Sequence, residues 1–420
     1  MPGIPDEWPF GAEVLETAGK PVEGACLTDI RHQALRLDLK EKTENLSKTY
    51  EPRFSSGIWF FGHTASRFHE AYKDEADVGT KLKMAGDLAR FGLRAIEAHF
   101  GPAWELNRDT INLFRELRER TGMIVSLIGG TGGDFRKREA RYGTLSNRDP
   151  KLRQRFISET VEILKFAKDL AKEQGCPPVA NVWPGTDGYV YSIGTDFYDL
   201  WDRFESGLAE AMDEVPGVRV TIEPKPYEPV VNSIYRHTAD GLLFCRHVET
   251  LLRNGANRKL LAEGHAMVGM NPEIGHMKMG VEDVAYSYAR AMREARLAHI
   301  HVNSVPLGSY DQDLNVGVSG TETMESVLFI LRMHGYRGFM GMDLNPEYMD
   351  ARAAVANSMN EVLRANAVVD ALNHRRLLEA YASPEKGTGV VEHIITSARC
   401  SADASKKLVP FQEIEKWNGG

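Results

Sequence analysis

Gly269-Met-Asn-Pro-Glu-Ile-Gly-His276 places a carboxylate, Glu273, three residues before an imidazole, His276, directly after the apolar stretch Ala266–Met270. A strand ending there delivers both side chains to one rim, because the glycine and proline turn the backbone at that point. Hard oxygen beside borderline nitrogen suits magnesium, manganese or cobalt better than a structural zinc. Alone, the pair also describes a solvated carboxylate and a hydrogen-bonded loop histidine. Its weight comes from the groups at the ends of other apolar stretches.

Those ends carry His99, then Trp183 and Asp187, Glu223 and Lys225, His301 and Asn303, and Asp343, and the loop Tyr310-Asp-Gln-Asp313 adds Asp311 and Asp313. Each has a plain explanation by itself: a strand-terminal aspartate caps the next helix, and an Asp-x-Asp loop is solvated. Together the carboxylates would repel one another and raise their own pKa values unless cations neutralised them. The ligands suffice for two ions. With Glu273 as the bridge, Glu223, His301 and Asp343 remain for one ion, and His276, Asp311 and Asp313 for the other. Lys225, two residues beyond Glu223, points the same way along the strand. As a compact cation beside a metal site it suits polarisation of a substrate oxygen rather than ligation.

The elements that must position these groups follow a rhythm. Short apolar stretches at Gly57–Gly62, Ala95–Ala98, Met123–Ile128, Val179–Trp183, Val218–Glu223, Ala266–Met270, Ala298–Asn303 and Phe339–Asp343 read as buried strands. Between them lie helical patterns near Phe68–Phe91, Asp109–Arg120, Leu152–Gln174, Asp196–Asp213, Thr238–Asn254, Glu282–Ala295, Glu322–Met333 and Met349–Tyr381. This alternation predicts an α/β protein, a (β/α)8 TIM barrel over residues 51–382, whose strand C-terminal ends hold the active site. A doubly wound open sheet is the runner-up, but the Gly-rich dinucleotide turn is missing. Residues 1–50 read as an N-terminal extension packed on the outside or on a neighbouring subunit, and 383–420 as a tail or subunit-wrapping arm.

Composition bounds the rest. The chain has 420 residues, 42% hydrophobic and 26% charged, with net charge −8. Cations and anions are interspersed, which argues against nucleic acid as a partner. Cys26, Cys176, Cys245 and Cys400 stand far apart and fit reduced thiols. The N-terminus has no basic region followed by an apolar core, and no apolar run reaches the roughly 18 residues of a membrane span. A cytoplasmic protein, with no membrane association, is the expectation.

Ile222-Glu-Pro-Lys-Pro-Tyr-Glu-Pro229, Asn271-Pro-Glu-Ile-Gly-His276 and Tyr310-Asp-Gln-Asp-Leu314 closely resemble the xylose (glucose) isomerase family, as do Trp59, Trp183 and the turn Trp-Pro-Gly-Thr-Asp-Gly188. The resemblance spans roughly residues 55–345. It implies a barrel with two divalent cations (manganese, cobalt or magnesium) that interconverts an aldose and a ketose by a two-metal hydride shift between C1 and C2. It further implies a homotetramer or homodimer. Carried over, Glu223, Glu273 and Asp343 hold the first ion, and Glu273, His276, Asp311 and Asp313 the second. His99 contacts the sugar during ring opening, Lys225 the carbonyl oxygen, Trp59 and Trp183 the sugar carbons, and Asn303 joins the substrate-facing set. Asp313 stands with Lys225 and His99 among the catalytic groups, because it holds the ion whose water moves a proton between the sugar oxygens.

Two departures qualify the resemblance. The family's aspartate in the His-Ile-Asp-Leu-Asn strand is His301 here, which looks like the L-rhamnose isomerase branch and should tilt preference toward manganese or cobalt. After His99 the chain reads Phe-Gly-Pro-Ala-Trp-Glu105 instead of a run of aspartates, leaving Glu105 to orient His99. The sugar's far end would meet the loop Gly129–Asn147 and Phe68 of the partner subunit. A metal-dependent ketose 3-epimerase of the same superfamily is the alternative. It needs one ion and a final glutamate ligand, and Asp343 and the Asp311/Asp313 pair argue against it.

Overall fold

A computed structural model describes residues 37–64 and 70–419. Eight parallel strands form its centre: β1 Arg53–Gly57, β2 Leu93–His99, β3 Ile124–Thr131, β4 Val179–Val182, β5 Val220–Ile222, β6 Val268–Met270, β7 Ile300–Val302 and β8 Phe339–Met342. They lie in the order β6-β5-β4-β3-β2-β1-β8-β7. Bridges Met270↔Leu297 and Glu273↔His301 bring β6 back alongside β7. The result is a nearly closed (β/α)8 TIM barrel, and its short apolar strands are buried because helices cover the outer face.

The helices start and stop where local chemistry dictates. Pro150–Gln174 opens with Asp149 accepting from the Lys151 and Leu152 amides and with Pro150 in the first turn. It closes at Gly175, whose φ of 71° is the left-handed cap that glycine adopts without strain. Its Phe156, Ile157, Val161, Leu164 and Ala167 recur at helical spacing and face the core. Asp77, Asp196, Asp283 and Asp350 cap other helices in the same way.

Some boundaries differ from the sequence expectation. The first strand is Arg53–Gly57; the apolar run Ile58–Gly62 forms the turn beyond it, with Phe60 and Phe61 buried by packing. An apolar run marks burial, not pairing. Trp59 folds back over Gly57, where a Cβ would lie 2.3 Å from the indole ring. The pattern Met349–Tyr381 breaks into Ala351–Ala371 and His374–Tyr381, because the Asn373 side chain caps a new start. Helices Gly255–Ala262 and Ile274–Met279 had no separate periodicity to announce them.

Of the N-terminal extension, residues 1–36 lie outside the described residues, as does Phe68. The remainder forms the helix Leu39–Ser47, opened by an Asp38–Glu41 capping box, with Leu46 buried against the barrel. Residues 383–420, expected as a tail or arm, carry helices Pro384–Ser401 and Phe411–Gly419. They pack on their own chain: Val409 and Trp417 are buried, and Asn360 bonds the Val409 backbone through both amide groups. Among the described residues no helix is long and apolar enough to cross a membrane.

Candidate metal centre

Parallel strands that end on one rim converge, so residues far apart in sequence meet there. Glu223 follows β5, Glu273 and His276 follow β6, His301 lies in β7, and Asp343 follows β8. Glu223, Glu273, His301 and Asp343 each offer one ligand atom within 4.8 Å of the others. His301 Nδ1 lies 3.4 Å from Glu223 Oε2, 3.4 Å from Asp343 Oδ2 and 3.8 Å from Glu273 Oε2. Glu273, His276 and Asp311 form a second such group. There His276 Nε2 lies 3.4 Å from both Glu273 Oε1 and Asp311 Oδ2. Glu273 belongs to both, as expected of a bridging carboxylate.

Neutral amides aim these carboxylates. Glu223 Oε2 accepts from Asn181 (2.7 Å) and Asn271 (3.0 Å). Asp343 Oδ1 accepts from the Trp59 indole (2.9 Å). Asn303 donates to Glu273 (2.8 Å) and Asp313 (2.8 Å), while its oxygen accepts the Gly275 amide. Asn303, expected among the sugar contacts, thus has its amide engaged by the protein. Asp313 is the other difference. From a left-handed backbone (φ 47°) it turns its carboxylate to Asn303 and stands outside the His276–Asp311 group.

Electrostatics sharpen the picture. Burial raises the Asp343 carboxyl and, with Glu273 and Glu223 added against the opposing pull of His301, carries it to about 8. Burial, Asp311, Glu273 and Asp343 push Asp313 well above the carboxylate range. Glu273 is raised too, chiefly by burial. Glu223, by contrast, falls to about 2, because His301 and His276 outweigh its burial. Lys225 Nζ sits 2.5 Å from Asp311 Oδ2 and holds that carboxyl low despite burial. Two buried atoms, Asp311 Oδ1 and His276 Nδ1, have no hydrogen-bond partner among the described residues. Buried polar atoms are ordinarily satisfied. Crowded carboxylates with orphaned acceptors and two imidazoles fit divalent cations bound mainly through oxygen.

An aromatic wall stands beside this rim. His99 stacks on Trp104 (ring centroids 4.4 Å, 22° between planes) and meets the edge of Trp59 at 4.8 Å. Phe135 lies 5.2 Å from Trp104 and 4.8 Å from Trp183, and Lys225 Nζ is 5.3 Å from the centre of the Trp183 ring. Burial lowers the His99 pKa, which keeps the ring neutral, and its Nδ1 has no hydrogen-bond partner among the described residues. Glu105 does not orient it. Its carboxylate pairs with Lys81 at 3.3 Å, and Lys81 also reaches Glu75. Asp187, expected at the rim, is instead a latch, accepting from Thr144 and Ser146 through both backbone and side chain.

Sequence reasoning missed Glu97, Trp104 and Phe135. Glu97 lies inside the barrel, 2.8 Å from His301 Nε2 and 3.2 Å from His299 Nε2. Its signal was available, since it stands two residues before His99 and so shares that face of β2. Trp104 and Phe135 sit in loops, where no periodicity reports direction.

Relatives agree with the architecture. A family model described as the xylose isomerase-like TIM barrel matches residues 86–365. A xylose isomerase of Thermus caldophilus is 27% identical over 325 residues, 72% of this chain and 74% of that protein. One of Thermus thermophilus is 26% identical, with the same shares covered. Among solved structures, a D-tagatose 3-epimerase-like protein superposes with a TM-score of 0.51 at 16% identity, over 76% of this chain and 98% of that one, a likeness of fold alone. With more than half its length matched by the family model, the chain belongs to the xylose isomerase-like TIM barrel family.

Proposed function

We propose that this protein is a divalent-metal-dependent sugar isomerase that interconverts an aldose and its ketose. The observation that carries the reading is the pair of carboxylate–imidazole groups sharing Glu273, with the Lys225 ammonium at the edge of the second. Similarity to xylose isomerases supports it.

Glu223, Glu273, His301 and Asp343 would hold one cation, and Glu273, His276 and Asp311 a second, with Asp313 beside them. When bound, such ions neutralise the crowded carboxylates and polarise adjacent sugar oxygens. The chain's own groups do the rest. Lys225 is kept protonated by Asp311 and Asp313 against the effect of burial, so it can donate to a carbonyl oxygen throughout turnover. His99, neutral, exchanges a proton with the sugar during ring opening. Trp59, Trp104, Phe135 and Trp183 cover the apolar edge of the sugar and exclude water, which strengthens each charge contact.

A proton NMR time course in D₂O with Mn²⁺ tests the reading against D-xylose, D-glucose, L-rhamnose and D-lyxose. Conversion of an aldose to its ketose with little deuterium incorporated is the expected result. Deuterium entering C3 of a ketose, with no aldose formed, would replace the isomerase reading with a 3-epimerase. No conversion with either Mn²⁺ or Co²⁺ would reject it for this panel.

A further inference from the structure

The barrel interior contains a charge that neither ion group uses. Glu97, in the middle of β2, and His299, directly before β7, are 0% exposed, and His301 is 2% exposed. Glu97 Oε2 lies 2.8 Å from His301 Nε2. Its Oε1 lies 3.2 Å from His299 Nε2 and accepts from the Ser55 hydroxyl at 2.5 Å. The opposite nitrogen of His301 is the one facing Glu223 and Asp343. The opposite nitrogen of His299 meets Asn271 Oδ1 at 3.0 Å, and the Asn271 amide nitrogen bonds Glu223.

We propose that Glu97 is the positioning residue of the first ion group, fixing His301 directly and Glu223 through His299 and Asn271. The inference rests on the metal-centre reading above. A carboxylate that accepts from Nε2–H commits His301 to the tautomer whose Nδ1 lone pair faces the other ligands. It also makes that nitrogen more basic. It further returns, one shell inward, a negative charge of the kind that a histidine in place of an aspartate removes from the group.

The surroundings are shaped for this carboxylate. A Cβ on Gly341 of β8 would lie 2.2 Å from Glu97 Oε1, 2.8 Å from His299 Cε1 and 2.9 Å from His301 Cδ2. β8, which pairs with β7 at Gly341↔His301, therefore gives up its side chain where the network passes. Glu97, His299 and His301 also lie close enough to hold an ion themselves. However, Glu97 Oε2 already faces His301 Nε2, and Oε1 accepts the Ser55 hydroxyl with His299 Nε2 3.2 Å away. That saturation marks an orienting group rather than a third ion site.

Isothermal titration of metal-stripped protein with Mn²⁺ and then Mg²⁺ tests the proposal on wild type and Glu97→Gln. Wild type should take up two Mn²⁺ per chain. Glu97→Gln should still take up two, one of them about 10- to 100-fold more weakly and the other unchanged. The weakened site should lose more affinity for Mn²⁺ than for Mg²⁺, because imidazole contributes more to the former. Three outcomes overturn the proposal: unchanged affinities in a cooperatively folding variant, equal losses for both metals, or a third ion in wild type that the variant lacks. Wild type that binds no divalent ion would reject the metal-centre reading itself, and this inference with it. Should Glu97→Gln fail to fold, Glu97→Asp carries the same test, since it keeps the charge but draws it a methylene away from His301.

Discussion

Asp187 follows β4 and Asp343 follows β8, across the same barrel, yet their surroundings could hardly differ more. Asp187 accepts five hydrogen bonds: from the Thr144 amide (2.8 Å) and hydroxyl (2.7 Å), from the Ser146 amide (3.1 Å) and hydroxyl (2.5 Å), and from the Thr186 hydroxyl (3.5 Å). Asp343 has the Trp59 indole as its donor and otherwise faces Glu223, Glu273 and His301. The first is a finished structural element that ties the loop Gly143–Asn147 to the rim. The second is stable as an anion only if further positive charge arrives. The number of donors around a carboxylate, not its place at a strand end, separates a latch from a ligand.

The largest effect should come from the residue common to both groups. Glu273→Gln removes a ligand from each, so sugar conversion should fall about a thousandfold or more, comparable to losing a principal electrostatic contact. In EDTA the same variant should unfold no earlier than wild type, because it relieves like-charge repulsion. Loss of activity together with an earlier unfolding midpoint would make Glu273 structural. Asp187→Asn should behave in the opposite way. It strands donors of Thr144 and Ser146 and should cost about 2–3 kcal/mol in urea unfolding, while the number of Mn²⁺ ions bound stays unchanged. A drop in bound metal would erase the distinction between the two aspartates.

A smaller contrast concerns the ion itself. Each Mn²⁺ site held at a hundred times its dissociation constant should stabilise wild type and Asp187→Asn alike by about 2.7 kcal/mol over the same protein in EDTA. Glu273→Gln should gain much less, as a thermal shift series would show. Trp59→Phe should have the mildest consequence: without the indole donor, Asp343 loses one hydrogen bond worth about 1 kcal/mol. The first ion should then bind several-fold more weakly by titration, with the fold intact.

The barrel was legible because its strands and helices alternate in period, and most of the rim because parallel strands end together. Glu223, Glu273, His276, His301 and Asp343 stand at or just beyond the ends of apolar stretches, and Asp311 in the loop after the seventh. What escaped depends on contacts far along the chain. The donors that satisfy Asp187 come from Thr144 and Ser146, whose loop conformation no local pattern reports. Lys81, on the helix Val78–Asp87, claims the loop residue Glu105. Asp313 is turned to Asn303 by a left-handed backbone that its residue type did not announce. The first strand was displaced because Ile58–Phe61 is apolar through packing in a turn. Glu97 is a different kind of miss. Its face of β2 could be read from His99, but strand ends drew the attention that a buried carboxylate in a strand interior warranted.

On the proposed reading the unsatisfied rim carboxylates form two adjoining divalent-cation sites sharing Glu273. Anomalous diffraction from crystals grown with Mn²⁺ tests it most directly. Two peaks per chain are expected, one among Glu223, Glu273, His301 and Asp343 and the other among Glu273, His276 and Asp311. A single peak, or manganese bound by Glu97, His299 and His301 instead, would contradict it.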